Sequence, residues 1–188
     1  MIAGIILAAG ASSRMGRPKA LLEYHGETFA GRLVRVLSRF CDPVIVVLGY
    51  HADAIRERVI ANFVVNPDPD RGQLSSLQTA LAAIPSDADG FLFTPVDSPS
   101  VSEDTIERLL AIFKERRDAI VIPRFGGRRG HPVCVPPALI ADFLALGATE
   151  QTRVVVNRNA DRVVYVDVDD AGILADIDDP AAYRALVQ

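Results

Sequence analysis

The order of the apolar segments most limits what this chain can fold into. Short, continuously apolar segments such as Ile2–Ala8 and 90–94 are predicted strands, because a strand covered on both faces carries apolar side chains on both. Between them lie segments with apolar residues at helical spacing, such as 29–40 and 74–84. This alternation predicts an α/β fold with one doubly wound, Rossmann-like domain over 1–188, a mainly parallel sheet and helices on both faces.

The same patterns predict the remaining elements. Further strands are expected at Val44–Leu48, 63–65, 119–122, Val133–Val135 and 162–168, and further helices at 52–60, 102–116, from 136, at 151–157 and at Pro180–Val187. In doubly wound sheets, ligands bind beyond the carboxyl ends of the strands. We therefore expect one crevice to be shared by the loops after Ala8, Leu48, Thr94 and Ile122.

Charge and cysteine content exclude several classes of protein. A net charge of −4 argues against general nucleic-acid binding, which requires a basic surface. The apolar start of the chain has no basic leader and is too short to span a membrane, and no later run reaches that length, so we expect no membrane contact. Cys41 and Cys134 are far apart in sequence and predicted to be reduced core residues, which is typical of a cytoplasmic protein.

The loop after the first strand is rich in small residues. Such residues let backbone N–H groups approach an anion closely, and the residues predicted to do so are Leu7, Ala8, Ala9, Gly10 and Ala11. Arg14 and Lys19 add positive charge nearby. The loop lacks both the P-loop ending and the three-glycine dinucleotide pattern. Arginine and lysine around a long loop suit a polyphosphate, which is the predicted ligand. A plain turn between a strand and a helix is the alternative.

Two other segments offer polar groups at the expected crevice. Asp97 directly follows a strand and suits Mg²⁺, which proteins hold through one or two carboxylates, although it is alternatively a turn residue between two prolines. Gln73, Ser75 and Ser76 are predicted exposed donors at a helix start, able to bond a base edge or a phosphate. Serine is also common as a helix cap, so capping is the alternative for this second segment.

A polar turn near residue 130 is a candidate site for a second substrate. Arg128 and Arg129 can hold an acceptor's phosphate through paired hydrogen bonds, and His131 is assigned to acceptor binding, with a structural turn as its alternative. His131 is not assigned as a general base, because a phosphate monoester is already ionised near neutral pH. The other two histidines, His25 and His51, match no motif.

The segment LAAGASSRMGRPKALL at 7–22 resembles the signature of the sugar-phosphate and molybdopterin nucleotidyltransferases. It is most similar to the branch that contains molybdenum cofactor cytidylyltransferase and its guanylyltransferase relative. The resemblance implies that the backbone of 8–11 approaches base and phosphates. It also implies that Arg14 and Lys19 neutralise the triphosphate, with Lys19 stabilising charge at the α-phosphate in the transition state.

Four later segments resemble blocks of the same family: TPVDSP at 94–99, GQLSSL at 72–77, GRRGHPV at 127–133 and ADIDDP at 175–180. The last block usually reads DIDTP, so Asp179 is a departure. The resemblance implies that Asp176 is the second metal ligand beside Asp97. Asp178 is the alternative ligand, and otherwise caps the final helix before Pro180.

Four remaining aspartates are predicted to be solvated loop charges: Asp68, Asp70, Asp169 and Asp170.

These features together predict a Mg²⁺-dependent nucleotidyltransferase of the EC 2.7.7 type. An acceptor phosphate would attack the α-phosphate of a nucleoside triphosphate and release pyrophosphate. Ala9 stands where guanylyl relatives tend to have glycine, which favours CTP over a purine, and the resemblance implies molybdopterin as acceptor. The alternatives are a guanylyltransferase, a sugar-phosphate nucleotidyltransferase, or a non-catalytic nucleotide-binding accessory protein. A molybdoenzyme or its maturation factor is a candidate partner.

Overall fold

The computed structural model describes residues 1–188 and contains an eight-stranded sheet with helices on both faces, so the predicted fold class is confirmed. The strands are β1 Ile2–Ala8, β2 Glu23–Tyr24, β3 Glu27–Thr28, β4 Val44–Leu48, β5 Asn62–Val65, β6 Gly90–Pro95, β7 Ile120–Phe125, β8 Arg128–Arg129, β9 Val133–Val135 and β10 Val163–Asp167. The helices are α1 Phe29–Leu37, α2 Ala52–Arg56, α3 Gln73–Leu81, α4 Glu103–Glu115, α5 Ile140–Leu144, α6 Arg153–Arg158 and α7 Pro180–Val187. None of the helices has the length and apolar content needed to cross a membrane.

The main sheet has the strand order β10-β7-β9-β6-β1-β4-β5, with β8 paired to β7. Its strands are parallel except for β8 and β9, and β9 is inserted antiparallel between β6 and β7. This insertion and the small β2–β3 hairpin were not expected from the sequence. Because β9 separates β7 from the other parallel strands, the carboxyl end of β7 lies two strands away from that of β6.

The side chains of the buried strands alternate between two cores, because successive residues of a strand point to opposite faces. On β1, Ile6 packs in the core covered by α1, α2 and α4, whereas Ile5 packs in the core covered by α3, α5 and α6. Leu33 of α1 and Leu77 of α3 are fully buried in these two cores. The two-sided burial explains why the strand segments are apolar without interruption.

Several element ends differ from the predicted ones. The helix expected at 52–60 ends at Arg56, and the segment from Pro137 starts as a 3₁₀ turn before α5. The strand expected at 119–122 continues to Phe125, where it pairs with β8. The predicted loop after Ile122 is therefore part of the sheet.

Asp170 anchors the segment between β10 and α7. Its carboxylate accepts hydrogen bonds from the backbone N–H of Ser102 (2.9 Å), the hydroxyl of Thr105 (2.8 Å) and the backbone N–H of Gly172 (2.8 Å). The prediction of a solvated loop charge is therefore wrong for Asp170. These bonds fix the start of α4 to the segment that continues across the carboxyl edge of the sheet.

The neighbouring aspartates allow a stability test of this anchor. Asp170→Ala leaves the buried Thr105 hydroxyl and two N–H groups without their acceptor, so we expect it to lower the free energy of unfolding by about 2 to 3 kcal/mol. Asp169 is exposed and forms no hydrogen bond, so Asp169→Ala is the matched control, expected within about 0.5 kcal/mol of the parent. Urea unfolding measures both. Equal stability of the two variants would contradict the anchoring role.

Candidate functional site

A cavity of about 270 Å³ opens at the carboxyl ends of β1, β4 and β6. Its lining comes from the loops after these strands, from the start of α3 and from the segment before α7: Leu7, Ala8, Ala9, Gly10, Ser12, Ser13, Arg14, Pro18, Lys19, Ala20, Tyr50, His51, Ile55, Pro69, Gly72, Gln73, Ser76, Pro95, Val96, Asp97 and Asp178. Three of the four loops expected to share one crevice do so. The end of β7 does not contribute, because β9 separates it from β6.

The glycine-rich loop presents free backbone N–H groups. The N–H groups of residues 10–13 donate to no backbone carbonyl. The loop is closed on itself, because the Ser12 carbonyl accepts from the N–H groups of Met15 (3.0 Å) and Gly16 (3.1 Å), and the Ser12 hydroxyl accepts from the Lys19 N–H (3.1 Å). Ser12 has a left-handed backbone with φ 53°. Successive free N–H groups of this kind can receive an anionic ligand.

Lys19 joins this loop to two carboxylates from distant parts of the chain. Its Nζ lies 3.1 Å from Oδ2 of Asp97 and donates a second hydrogen bond to Oδ1 of Asp178. Arg14 donates to the other oxygen of Asp178 at 2.5 Å. The Lys19 side chain is 14% exposed and that of Arg14 is 71% exposed. The lysine is thus fixed inside the site, while the arginine lies at its mouth.

The pKa values of these groups follow from their surroundings. Burial acts to lower the pKa of Lys19, but the hydrogen bond to Asp178 and the charge of Asp97 raise it above its ordinary value. Burial raises the pKa of Asp97, against the charge of Lys19 and with the charges of Asp176 and Asp178. The hydrogen bond from Lys19 lowers the pKa of Asp178. Of these two carboxylates, Asp97 is therefore the one whose charged form is disfavoured.

The three carboxylates Asp97, Asp176 and Asp178 can hold a divalent cation. One oxygen from each lies within 4.8 Å of the others, and Asp176 is the exposed member. Oxygen donors of this kind suit a hard cation, and positive charge would offset the burial and, to a smaller extent, the repulsion that raise the pKa of Asp97. Both Asp176 and Asp178 are in the cluster, but only Asp178 lines the cavity and bonds Lys19.

The cap of the final helix is Asp179, so the capping role expected for Asp178 is wrong. The carboxylate of Asp179 accepts from the N–H groups of Ala181 (2.8 Å) and Ala182 (2.9 Å). Asp178 instead turns toward Lys19 and Arg14. Asp179 replaces the threonine usual in this block, and its carboxylate can perform the same capping as a hydroxyl.

The start of α3 contributes to the cavity through Gln73 and Ser76. The expectation of exposed donors is wrong for both serines, since Ser75 and Ser76 are buried. The Ser75 hydroxyl donates to the Gly72 carbonyl (2.8 Å), and both hydroxyls accept from Nδ2 of Asn66. Gln73 is exposed, with its side chain free for a ligand.

The predicted acceptor-binding residues do not line this cavity. Arg128 and Arg129 are exposed on β8, and Nη1 of Arg129 lies 3.4 Å from the Tyr165 hydroxyl. The His131 ring packs edge-on against Phe93, with centroids 5.6 Å apart, and its Nδ1 is buried without a hydrogen-bond partner. Burial lowers the pKa of His131 to about 4, against an opposing effect of the Phe93 backbone.

Among the lining residues that the sequence did not single out are Tyr50 and His51. Neither belongs to a motif that we used. The signal that could have identified them is their position directly after the buried strand β4, since the ends of parallel strands meet at one edge.

Comparisons with known proteins show the family to which the chain is similar. A family model described as "MobA-like NTP transferase domain" matches residues 4–163. Molybdenum cofactor cytidylyltransferase of Escherichia coli is 29% identical over 181 residues, which cover 94% of the chain and 90% of that protein. A Bacillus cereus protein named probable molybdenum cofactor guanylyltransferase is 35% identical over 134 residues; the match covers 68% of the chain and 64% of that protein.

A solved structure has the same architecture. The crystal structure of Rv0371c from Mycobacterium tuberculosis is 29% identical, with a TM-score of 0.88, covering 99% of the chain and 96% of that protein. A structure of Rv0371c in complex with manganese matches with a TM-score of 0.78 and 26% identity, over 99% of the chain and 97% of that protein.

The enclosure of His131 predicts a loss of stability in acid. The unfolded chain binds a proton below the ordinary pKa of 6.5, whereas the folded ring stays neutral down to about 4. The folded state therefore loses about 3 kcal/mol from this group as the pH falls through that interval. We expect His131→Phe to reduce the fall in unfolding free energy between pH 7 and pH 4.5 in urea titrations. The exposed His25 is the control, and a His131→Phe profile parallel to that of His25→Asn would contradict the assignment.

Proposed function

The chain belongs to the MobA-like NTP transferase family, and we propose on that basis that it transfers CMP from CTP to a phosphorylated acceptor, molybdopterin, with release of pyrophosphate. The observation that carries the proposal is the position of Lys19 between the glycine-rich loop and the carboxylates of Asp97 and Asp178. A protein that only binds a nucleotide does not need a phosphate-binding lysine beside a cluster of three carboxylates.

The residues of the cavity have distinct roles in this reaction. The free N–H groups of residues 10–13 bind phosphate oxygens, and Arg14 and Lys19 neutralise the triphosphate. An acceptor phosphate oxygen forms a bond to the α-phosphorus, while the bond from that phosphorus to the bridging oxygen breaks and pyrophosphate leaves with the electron pair. Lys19, being nearly buried, stabilises the charge that develops on the α-phosphate oxygens.

Asp97 and Asp176, with Asp178 beside them, are the proposed ligands of Mg²⁺. A bound divalent cation supplies positive charge to the phosphate oxygens and keeps the triphosphate in one orientation. The short separation of the three carboxylates supports this role, as does the manganese complex of the structurally similar mycobacterial protein.

The coverage of the relatives supports CTP as the nucleotide. The similarity to a cytidylyltransferase covers 94% of the chain, whereas the similarity to a guanylyltransferase covers 68%.

We assign the acceptor's phosphate to Arg128 and Arg129, which are exposed and form no ion pair with a carboxylate. The turn that carries them is held by His131, whose backbone N–H donates to the Ile173 carbonyl (3.0 Å). Residues 1–188 are proposed to act as one nucleotidyltransferase domain. The two free, buried cysteines support a location in the cytoplasm.

Substitutions of Lys19 and Asp97 test the proposed chemistry. We expect Lys19→Ala and Asp97→Ala each to lower kcat/KM by at least about tenfold while remaining folded. Lys19→Ala removes positive charge beside the reacting phosphate, and Asp97→Ala removes a proposed ligand of the cation. Lys114 is exposed on α4, and Lys114→Ala is the matched control with unchanged activity. Pyrophosphate release is measured with each of the four nucleoside triphosphates and Mg²⁺, with and without molybdopterin. Parent activity in Lys19→Ala, or nucleotide binding without release for any acceptor, would refute the proposed transferase.

Cation binding tests the carboxylate cluster separately from turnover. Asp97→Asn and Asp176→Asn each remove one negative charge from the cluster, and we expect each to weaken Mn²⁺ binding by at least about tenfold. The measurement is the electron paramagnetic resonance signal of free Mn²⁺. Asp179→Asn is the control, because asparagine preserves the cap of α7. An equal loss in Asp179→Asn would exclude the cluster as the cation site.

A further inference from the structure

The turn at residues 49–51, directly after β4, is bonded to the glycine-rich loop. The Tyr50 N–H donates to the Ala9 carbonyl (3.1 Å), and Nε2 of His51 lies 3.1 Å from the Ala11 carbonyl. A carbonyl can only accept, so this nitrogen of His51 carries the proton. A Cβ on Gly49 would lie 2.6 Å from the Ala9 oxygen, so glycine is required for the two segments to approach this closely.

The other side of the turn is bonded to the segment that leads into α3. The Tyr50 hydroxyl donates to Oδ1 of Asp70 at 2.7 Å. Pro69 is also close, since a Cβ on Gly49 would lie 2.9 Å from the Pro69 Cβ. The turn therefore lies between the loop proposed to bind phosphates and the segment that carries Gln73.

The bonds to Ala9 and Ala11 determine where two N–H groups point. In a trans peptide, the carbonyl of one residue and the N–H of the next point in opposite directions. With the Ala9 and Ala11 carbonyls directed at the turn, the N–H groups of Gly10 and Ser12 are directed away from it. Both residues line the cavity, and neither N–H group donates to a backbone carbonyl.

His51 holds this position in a left-handed backbone conformation, with φ 59°. A residue with a Cβ rarely adopts this conformation unless its surroundings determine it. His25 has a similar φ of 51° but lies exposed in the β2–β3 hairpin, outside the cavity lining. His25 is therefore a control for the effect of relieving a left-handed backbone outside the cavity.

We propose that Tyr50 and His51 are positioning residues for nucleotide binding: they aim the N–H groups of the glycine-rich loop and join that loop to the segment before Gln73. This inference rests on the proposed function, because it names the residues that prepare the same cavity for the nucleoside triphosphate. Their effect is on affinity for the nucleotide, since they hold the loop before and after the reaction alike.

The test separates the hydrogen bond of His51 from its backbone strain. His51→Ala and His51→Gly both remove the bond to Ala11, whereas only His51→Gly also relieves the left-handed strain. We expect both variants to raise KM for CTP and Kd for Mg²⁺–CTP by about three- to tenfold, the loss of one hydrogen bond, with kcat within about twofold of the parent. His51→Gln restores a donor of similar reach and should recover most of the affinity. Tyr50→Phe, which loses only the bond to Asp70, is expected to raise KM in the same direction.

The controls are His25→Ala and His25→Gly, expected to leave KM, Kd and kcat unchanged. Parent affinity in His51→Gly would mean that only strain matters and would overturn the proposal, as would a fall in kcat with no change in KM. Titration calorimetry measures Kd for Mg²⁺–CTP without turnover. The affinities of the His51 variants can therefore be compared even if molybdopterin is not the acceptor. A parent protein with normal turnover and His51 variants of unchanged affinity would refute this inference alone. A parent that binds neither CTP nor GTP would refute it together with the proposed function.

Discussion

The ammonium group of Lys19 is the interaction on which the rest of the site depends. It lies between two carboxylates that, together with Asp176, would repel one another in a partly enclosed space. The cost of burying charge is acceptable only when a partner of opposite sign is close, and Lys19 is that partner for Asp97 and Asp178 at once. In the proposed reaction, phosphate oxygens would replace the carboxylates beside Lys19, and the carboxylates would bind the cation.

This arrangement requires the final part of the chain to cross the carboxyl edge of the sheet. Contacts outside the cavity hold it there, among them Asp170 against the start of α4, the Ser98 hydroxyl donating to the Ala175 carbonyl (2.9 Å), and the Tyr183 hydroxyl donating to the Glu23 carbonyl (2.8 Å). The last of these explains a use of the small β2–β3 hairpin, which otherwise packs apart from the main sheet. α7 buries none of its residues fully, so these polar contacts matter more for its position than for that of the core helices.

The sequence predicted those parts of the molecule that follow from periodicity and from position after a buried strand. The sheet, both layers of helices, and the places of Lys19 and Asp97 are of this kind. The direction of β9 was not predictable, since three apolar residues read the same for parallel and antiparallel pairing.

The roles of Asp178 and His51 were missed for a different physical reason. Asp176, Asp178 and Asp179 all have the same charge within four residues, and only the path of the backbone determines which carboxylate caps α7 and which faces Lys19. The His51 imidazole bonds to the backbone carbonyl of Ala11. Every residue has a backbone carbonyl, so no sequence pattern marks this contact. Burial of Ser75 and Ser76 likewise depends on Asn66, whose amide binds both hydroxyls.

The contacts of Asp178 also have a consequence for the order in which the molecule acquires its properties during synthesis. Asp178 is separated from Arg14 by 164 residues and from Lys19 by 159. A nascent chain on the ribosome can complete most of the sheet, together with Asp97 and the glycine-rich loop, long before Asp178 emerges. Until then Lys19 has one carboxylate partner instead of two, and Arg14 at the mouth of the cavity has no carboxylate partner.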